Sequence, residues 1–234
     1  MPFYYYFDPT YYLFALPGLI IALFAQAKVK SNYSKYSRVS NSAGLTGADI
    51  ARVILQQNGI CNVDIRRTSG NLTDNFNPSH KAIYLSEGVF DSTTVSAIGI
   101  AAHEAGHAVQ HAVGYTPIKI RSALVPVCNF GSGISPILLI LGYVLNFTPL
   151  LYIALAVFSL SVIFQLVTLP VEFNASRRAL AAIEGMGRLN NYDLKGAKKV
   201  LSAAALTYVA ALLQSILMFL YYALRILGRG NRRN

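Results

Sequence analysis

The sequence predicts a mainly α-helical membrane protein with about four transmembrane helices and a small α+β domain on the cytoplasmic side. Three observations carry that prediction. Of 234 residues, 54% are hydrophobic and 13% charged, with a mean hydropathy of +0.43, whereas a soluble domain is nearer a quarter charged. The apolar residues gather into four runs. Between Ser31 and Arg121 lies the one sizeable polar stretch, long enough for a small folded domain at the membrane surface.

The first run, Tyr11 to Ala27, follows the aromatic cluster Phe3-Tyr4-Tyr5-Tyr6-Phe7 and contains Pro17-Gly18. Rings of that kind prefer the headgroup layer, so the cluster reads as an interface belt. The second run extends from about Val125 to Leu145 with Gly131, Gly133 and Pro136 inside it. Only Asn146-Phe147-Thr148-Pro149 separates it from the third, Leu150 to Leu169. A hydrocarbon core about 30 Å thick needs roughly 20 helical residues, which the third run fits best. The fourth spans about Val200 to Leu224. No small-residue cleavage site marks the first run as a removable signal, so it reads as a span or a signal anchor.

Lysine and arginine give the orientation. No basic residue precedes the first run, and Lys28, Lys30, Lys35 and Arg38 follow it. That places the amino terminus outside and the next segment in the cytoplasm. Two further spans return the chain there at Pro170, where Arg177, Arg178, Arg188, Lys195, Lys198 and Lys199 agree. A fourth span would carry Arg225, Arg229, Arg232 and Arg233 outside, against the positive-inside tendency. Either that end is an exception or one run does not cross. The expected organisation is an anchor over 1–30, a cytoplasmic domain over 31–121 and a transmembrane hairpin over 122–170. A cytoplasmic segment over 171–199 and a last helix with a basic tail over 200–234 follow.

Within the polar stretch, Thr46 with Asp49 three residues on reads as a capped helix start. Ile50, Val53 and Ile54 give its apolar stripe, and Asn58-Gly59 ends it. Val63-Asp64-Ile65-Arg66 and Lys81-Ala82-Ile83-Tyr84-Leu85 alternate as strands of a hairpin or three-stranded sheet. Ser69-Gly70-Asn71 and Asn75-Phe76-Asn77-Pro78 read as turns. The strand after them either packs on the following helix or offers a free edge to an extended peptide. Asp91 or Ser92 caps the next helix, from about Thr93 to Val113.

That helix carries His103-Glu104-Ala105-Gly106-His107. Histidines four apart share one helix face, so both imidazoles can reach one metal ion, and Glu104 beside them can take a proton from a water. With four histidines and four glutamates in the chain, chance would give the string about once in a thousand such chains. Such a helix makes the small domain zincin-like, and Zn2+ is the implied cofactor. Ala101, Ala102, Ala105, Gly106 and Ala108 keep the surroundings small, as a site admitting a substrate requires.

A catalytic zinc site takes three protein ligands and leaves one place open. His111 lies four residues after His107, but histidines over three turns of a straight helix spread across about 12 Å, too far for one tetrahedral ion. His80 sits in a turn and reads as solvated. Glu172 is the better third ligand: a carboxylate just beyond a span needs a positive partner, and two intervening spans return it to the side of His107. The alternative is a salt bridge from Glu172 to Arg177 or Arg178.

The string from His103 to His111, Glu172-Phe173-Asn174-Ala175-Ser176-Arg177-Arg178-Ala179-Leu180, Gly44-Leu45-Thr46-Gly47-Ala48-Asp49-Ile50-Ala51 and Leu72-Thr73-Asp74 together resemble the YugP-like family of bacterial membrane zinc metallopeptidases. The likeness runs from about Thr46 to Ser202; more distantly the chain is similar to HtpX-type and CAAX-prenyl membrane proteases. The resemblance implies zinc on His103, His107 and Glu172 with Glu104 as general base, a protein or peptide substrate, and a multi-pass place in the bacterial plasma membrane. Asn174 stands where the family more usually has aspartate, and Ser176 where the distant relatives do. Asn75 and Asn77 replace residues associated with histidine and aspartate. These departures bear on how the ligands are oriented. His111, Asn174, Ser176, Arg177 and Arg178 are candidates for orienting the ligands or stabilising an oxyanion, with Tyr192 a further oxyanion candidate.

The net charge of +10 sits on the membrane flanks and faces anionic lipid of the bilayer; nothing in it resembles a basic, aromatic-interleaved nucleic-acid face. Cys61 and Cys128 share neither an oxidising compartment nor metal-ligand spacing. Two other functions stay open: a non-catalytic, zinc-stabilised membrane scaffold, and a site-2-type intramembrane protease. The latter draws a ligand from an Asp-Gly string inside a span, and no run here contains one. The small residues of the second and fourth runs suit packing within one chain or between copies.

Overall fold

The computed structural model describes residues 8–230, with the backbone alone for 229 and 230. The aromatic belt expected over 3–7, and Arg232 and Arg233, lie outside the described residues. In chain order the elements are α1 (Pro9–Tyr36), α2 (Gly47–Gln57), β1 (Asp64–Thr68), β2 (Asn75–Asn77), β3 (Ala82–Ser86), α3 (Glu87–Phe90), α4 (Val95–Ala112), α5 (Thr116–Val144), α6 (Thr148–Gly185) and α7 (Asn191–Gly230). The protein is mainly helical with one small sheet. Four of its helices, α1, α5, α6 and α7, are long and apolar enough to cross a membrane.

The chain forms two compact units. One holds the residues through Phe24, Ile120–Leu169 and those from Thr207 on; the other holds Ala25–Lys119 and Pro170–Leu206. In the first unit, α5 packs on α6 through small residues. The Ser135 hydroxyl donates to the Ala154 carbonyl at 3.1 Å, and the Cys128 thiol lies 3.6 Å from the Leu160 carbonyl. A side chain at Gly131 would press on Val157 and one at Gly142 on Leu151. Gly131, Ser135 and Gly142 of the second run are therefore used within the chain, where small residues let helix backbones approach closely, whereas Gly133 faces open space.

The second unit is built around α4. Its helix is Ala-rich, and Ala97, Ala101, Ala102, Ala105 and Ala108 are buried in one core with Ile50, Ile54, Ile83, Leu85 and Ile183. These small residues serve close packing on all sides, where the sequence suggested space for a substrate. Gly106 shows why. A Cβ there would stand 2.7 Å from the Ala175 carbonyl oxygen, so glycine sets the approach of α4 to α6. Thr94 caps α4, its hydroxyl accepting from the Ala97 amide, so the cap falls beyond the expected Asp91 or Ser92. Ser92 instead bonds the Thr94 hydroxyl at 2.9 Å. The Thr46–Asp49 capping box of α2 is formed on both sides.

The sheet has the order β1-β3-β2, with β1 parallel and β2 antiparallel to β3. Two expectations change here. Asn75–Asn77, expected as a turn, is a strand, because Phe76 packs against the core while the flanking asparagines serve the neighbouring turns. β3 is central and buried, with both edges paired, so the strand before α4 has no free edge to offer a peptide. Asp74 locks the sheet to the following turn, accepting from the Ser86 amide at 2.8 Å and its hydroxyl at 3.0 Å. Burial holds the Asp74 carboxyl above the usual range despite those bonds.

The long helices run well past their apolar stretches. α6 continues through Pro170 to Gly185, so the helix bearing Glu172 is the third apolar helix itself, prolonged. Proline removes one backbone donor, a loss that membrane-spanning helices tolerate because neighbouring groups satisfy the freed carbonyl.

Candidate metal centre

Two elements of the second unit supply the site. α4 presents His103 and His107 one turn apart, with ring centroids 4.7 Å from each other and planes nearly perpendicular. α6 presents Glu172, which is 1% exposed. Its Oε2 lies 3.2 Å from His103 Nε2 and 3.5 Å from His107 Nε2. One donor atom from each of the three residues falls within 4.8 Å of the others, as a group that could hold a metal ion. Glu104 stands beside them on α4 and is buried. The Gly106–Ala175 approach brings the two helices together where these donors sit.

The remaining ring nitrogens decide the tautomers. Gln110, fully buried, donates from Nε2 to the Val171 carbonyl at 2.8 Å and to Asn174 Oδ1 at 3.0 Å. A main-chain carbonyl only accepts, so the Gln110 amide has a fixed orientation and its Oε1 must face His107 Nδ1, at 3.0 Å. Nδ1 therefore carries a proton, and Nε2 is the ring atom turned to Glu172. His103 Nδ1 has a partner as well, the Ser176 hydroxyl at 3.1 Å, which can serve as donor or acceptor. Burial opposes a charge on His107. The hydrogen bond to Glu172 and the carboxylates of Glu104 and Glu172 outweigh it, raising the imidazole above its ordinary value.

This donor set fits zinc. Two imidazole nitrogens and a carboxylate oxygen converge, the other ring nitrogens are occupied, and the buried carboxylate is aimed at both rings. Such a set is a common catalytic zinc environment, and partners behind the histidines orient the rings and raise their basicity.

Other candidates are placed differently. His111 is exposed in the last turn of α4, its ring edge-on to Phe76 at 5.9 Å, and it lines a cavity of about 530 Å³ with Asn58, Val63 and Lys81. Arg178 Nε donates to Asn174 Oδ1 at 2.8 Å, so Asn174 accepts from both Arg178 and Gln110. That acceptor role is one an aspartate could also fill. Arg177 is exposed on α6, and Tyr192 packs at 6.3 Å against the Tyr36 ring. His80 is exposed, its Nδ1 3.0 Å from the Tyr84 hydroxyl. Gln110 was not singled out from the sequence. Its signal was a lone amide three residues after His107, on the same face of an apolar helix.

Residues 11–227 match the family described as "Putative neutral zinc metallopeptidase". The chain belongs to that family. It is also 45% identical over 213 residues to "Putative membrane protease YugP" of Bacillus subtilis (strain 168), an overlap covering 91% of this chain and 95% of that protein. No solved structure matches the chain. The family's name implies zinc, and His103, His107 and Glu172 are the residues of this chain that could hold it.

Proposed function

We propose that the chain is a zinc metalloendopeptidase of the membrane, hydrolysing peptide bonds of membrane or membrane-proximal proteins at the cytoplasmic face. The convergence of His103, His107 and Glu172, with Glu104 adjoining, is the observation that carries this reading. A zinc ion held by the three supplies Lewis acidity to a water and to a substrate carbonyl oxygen. Glu104 takes the proton from the attacking water and returns it to the departing amine. Gln110 and Ser176 hold the two rings with Nε2 forward, so no reorganisation is needed when a substrate arrives. Burial of Glu104 and Glu172 keeps bulk water from the carboxylates. The cytoplasmic assignment rests on Lys28, Lys30, Lys35 and Arg38 after the first apolar stretch and Arg177 and Arg178 after the third.

The test is Glu104→Gln, purified as the full chain in neutral detergent. The expected outcome is full zinc occupancy with cleavage of a casein-type substrate reduced about a hundredfold or more. Undiminished cleavage by that variant would sink the mechanism. A wild-type protein that binds zinc and cleaves nothing favours the scaffold reading instead.

A further inference from the structure

We infer that a lysine-lined cleft between α1 and α7 is a binding site for the phosphate headgroup of an anionic phospholipid. The cleft has a volume of about 510 Å³ and is lined by Lys28 and Asn32 of α1 and by Lys195, Lys198, Lys199 and Ser202 of α7. It lies apart from the metal-binding residues, and the inference does not rest on the peptidase reading. Lys28 and Asn32 are one turn apart; the α7 residues, at i, i+3, i+4 and i+7, make one face. The cleft is held in shape, since the Asn32 side-chain amide donates to the Lys199 carbonyl at 3.3 Å.

No carboxylate lines it. Asp193, the nearest acidic residue along α7, is buried and turned to Ser42, accepting from its amide at 2.8 Å and its hydroxyl at 2.6 Å. Three lysines on consecutive turns of one helix repel one another, and a fourth opposes them across the cleft. An anion seated among them relieves that repulsion. The chain itself says which anion. Lys28 is the first residue after the apolar run that ends at Ala27, and Lys199 the last before the run that opens at Val200. The cleft therefore stands where both helices leave their apolar stretch, at the level of lipid phosphates. Basic pockets between helices at that level seat anionic headgroups.

The test uses the full chain in neutral detergent, with dioleoyl-phosphatidylglycerol and dioleoyl-phosphatidylcholine as probes and native mass spectrometry as the readout. The wild type should retain phosphatidylglycerol over phosphatidylcholine by about tenfold. Lys195→Gln/Lys198→Gln/Lys199→Gln should bring the ratio close to one. Lys30→Gln/Lys35→Gln/Arg38→Gln removes equal charge outside the cleft and should keep the preference. Equal loss in both triple variants would mean diffuse charge and overturn the site. Full displacement of the lipid by millimolar inorganic phosphate overturns the lipid assignment. Should the cleft variant not fold, a wild-type ratio of one overturns the inference alone.

Discussion

Gln110 illustrates how one neutral side chain can set the chemistry of a charged site. It holds His107 Nδ1 with its oxygen while its nitrogen is tied to Val171 and Asn174 on α6. Gln110→Ala should therefore weaken zinc binding by about 10–100-fold, read by competition with a chromophoric chelator on the folded fraction. Ser176→Ala should act in the same direction on His103, and more weakly, because Ser176 makes one bond at that ring where the Gln110 amide makes three in all. Zinc affinity unchanged in Gln110→Ala would deny the amide its orienting part. The two histidines and Glu104 were legible because their chemistry is compressed into five residues. Glu172 was reached through its awkward position beyond an apolar run. Gln110 was not legible, because its partners Val171 and Asn174 lie more than sixty residues away, and nothing local distinguishes it from an ordinary helix glutamine.

Among the elements, α4 and α2 make the sharpest forecasts. A methyl at Gly106 meets main-chain oxygen, which cannot swing aside. Gly106→Ala should therefore destabilise the protein by about 1–3 kcal/mol, read by denaturant unfolding in detergent, and should lower zinc affinity as α4 moves off α6. Wild-type values for both would mean that the helices have slack at Ala175. At α2, Thr46→Ala removes a capping hydroxyl and should destabilise by about 1 kcal/mol. The cap also makes a pH prediction. The Thr46 hydroxyl, its amide and the Arg52 guanidinium outweigh partial burial and hold the Asp49 carboxyl below its ordinary value. A lowered carboxyl contributes stability above its unfolded pKa of roughly 4 and loses it as pH falls further. The advantage of wild type over Asp49→Asn should accordingly be present at pH 7 and shrink progressively below about pH 4. Both α2 and its cap were legible, since a capping box is a local code. β2 was not. Its asparagines mimic a turn, and its strand character comes from pairing with β3. The lengths of α1, α6 and α7 were hidden too, because hydropathy marks where a helix is apolar and not where it ends.

Across the molecule, the open question from the sequence was the basic end of α7. The structure supplies a counter-charge: Asp8 accepts from the Tyr221 hydroxyl at 2.8 Å and pairs with Arg225 at 3.2 Å. The start of α1 and the far part of α7 thus lie together, as an even number of crossings requires. With four crossings, the stretch between α1 and α5 and the stretch between α6 and α7 share the opposite side. A native reporter tests which side that is. Cys61 is exposed and Cys128 is buried, so a membrane-impermeant maleimide reads the position of Cys61 without engineering. Intact spheroplasts should leave Cys61 unlabelled, while inverted membrane vesicles should label it to completion. Cys61→Ser in the same vesicles should abolish the signal and exclude Cys128 as its source. Labelling in intact spheroplasts would put His103, His107 and Glu172 on the outer side, since the two histidines lie in the first of those stretches and Glu172 meets them from the part of α6 beyond its apolar run. The substrates would then be exported proteins, and the lysine cleft would face the outer leaflet.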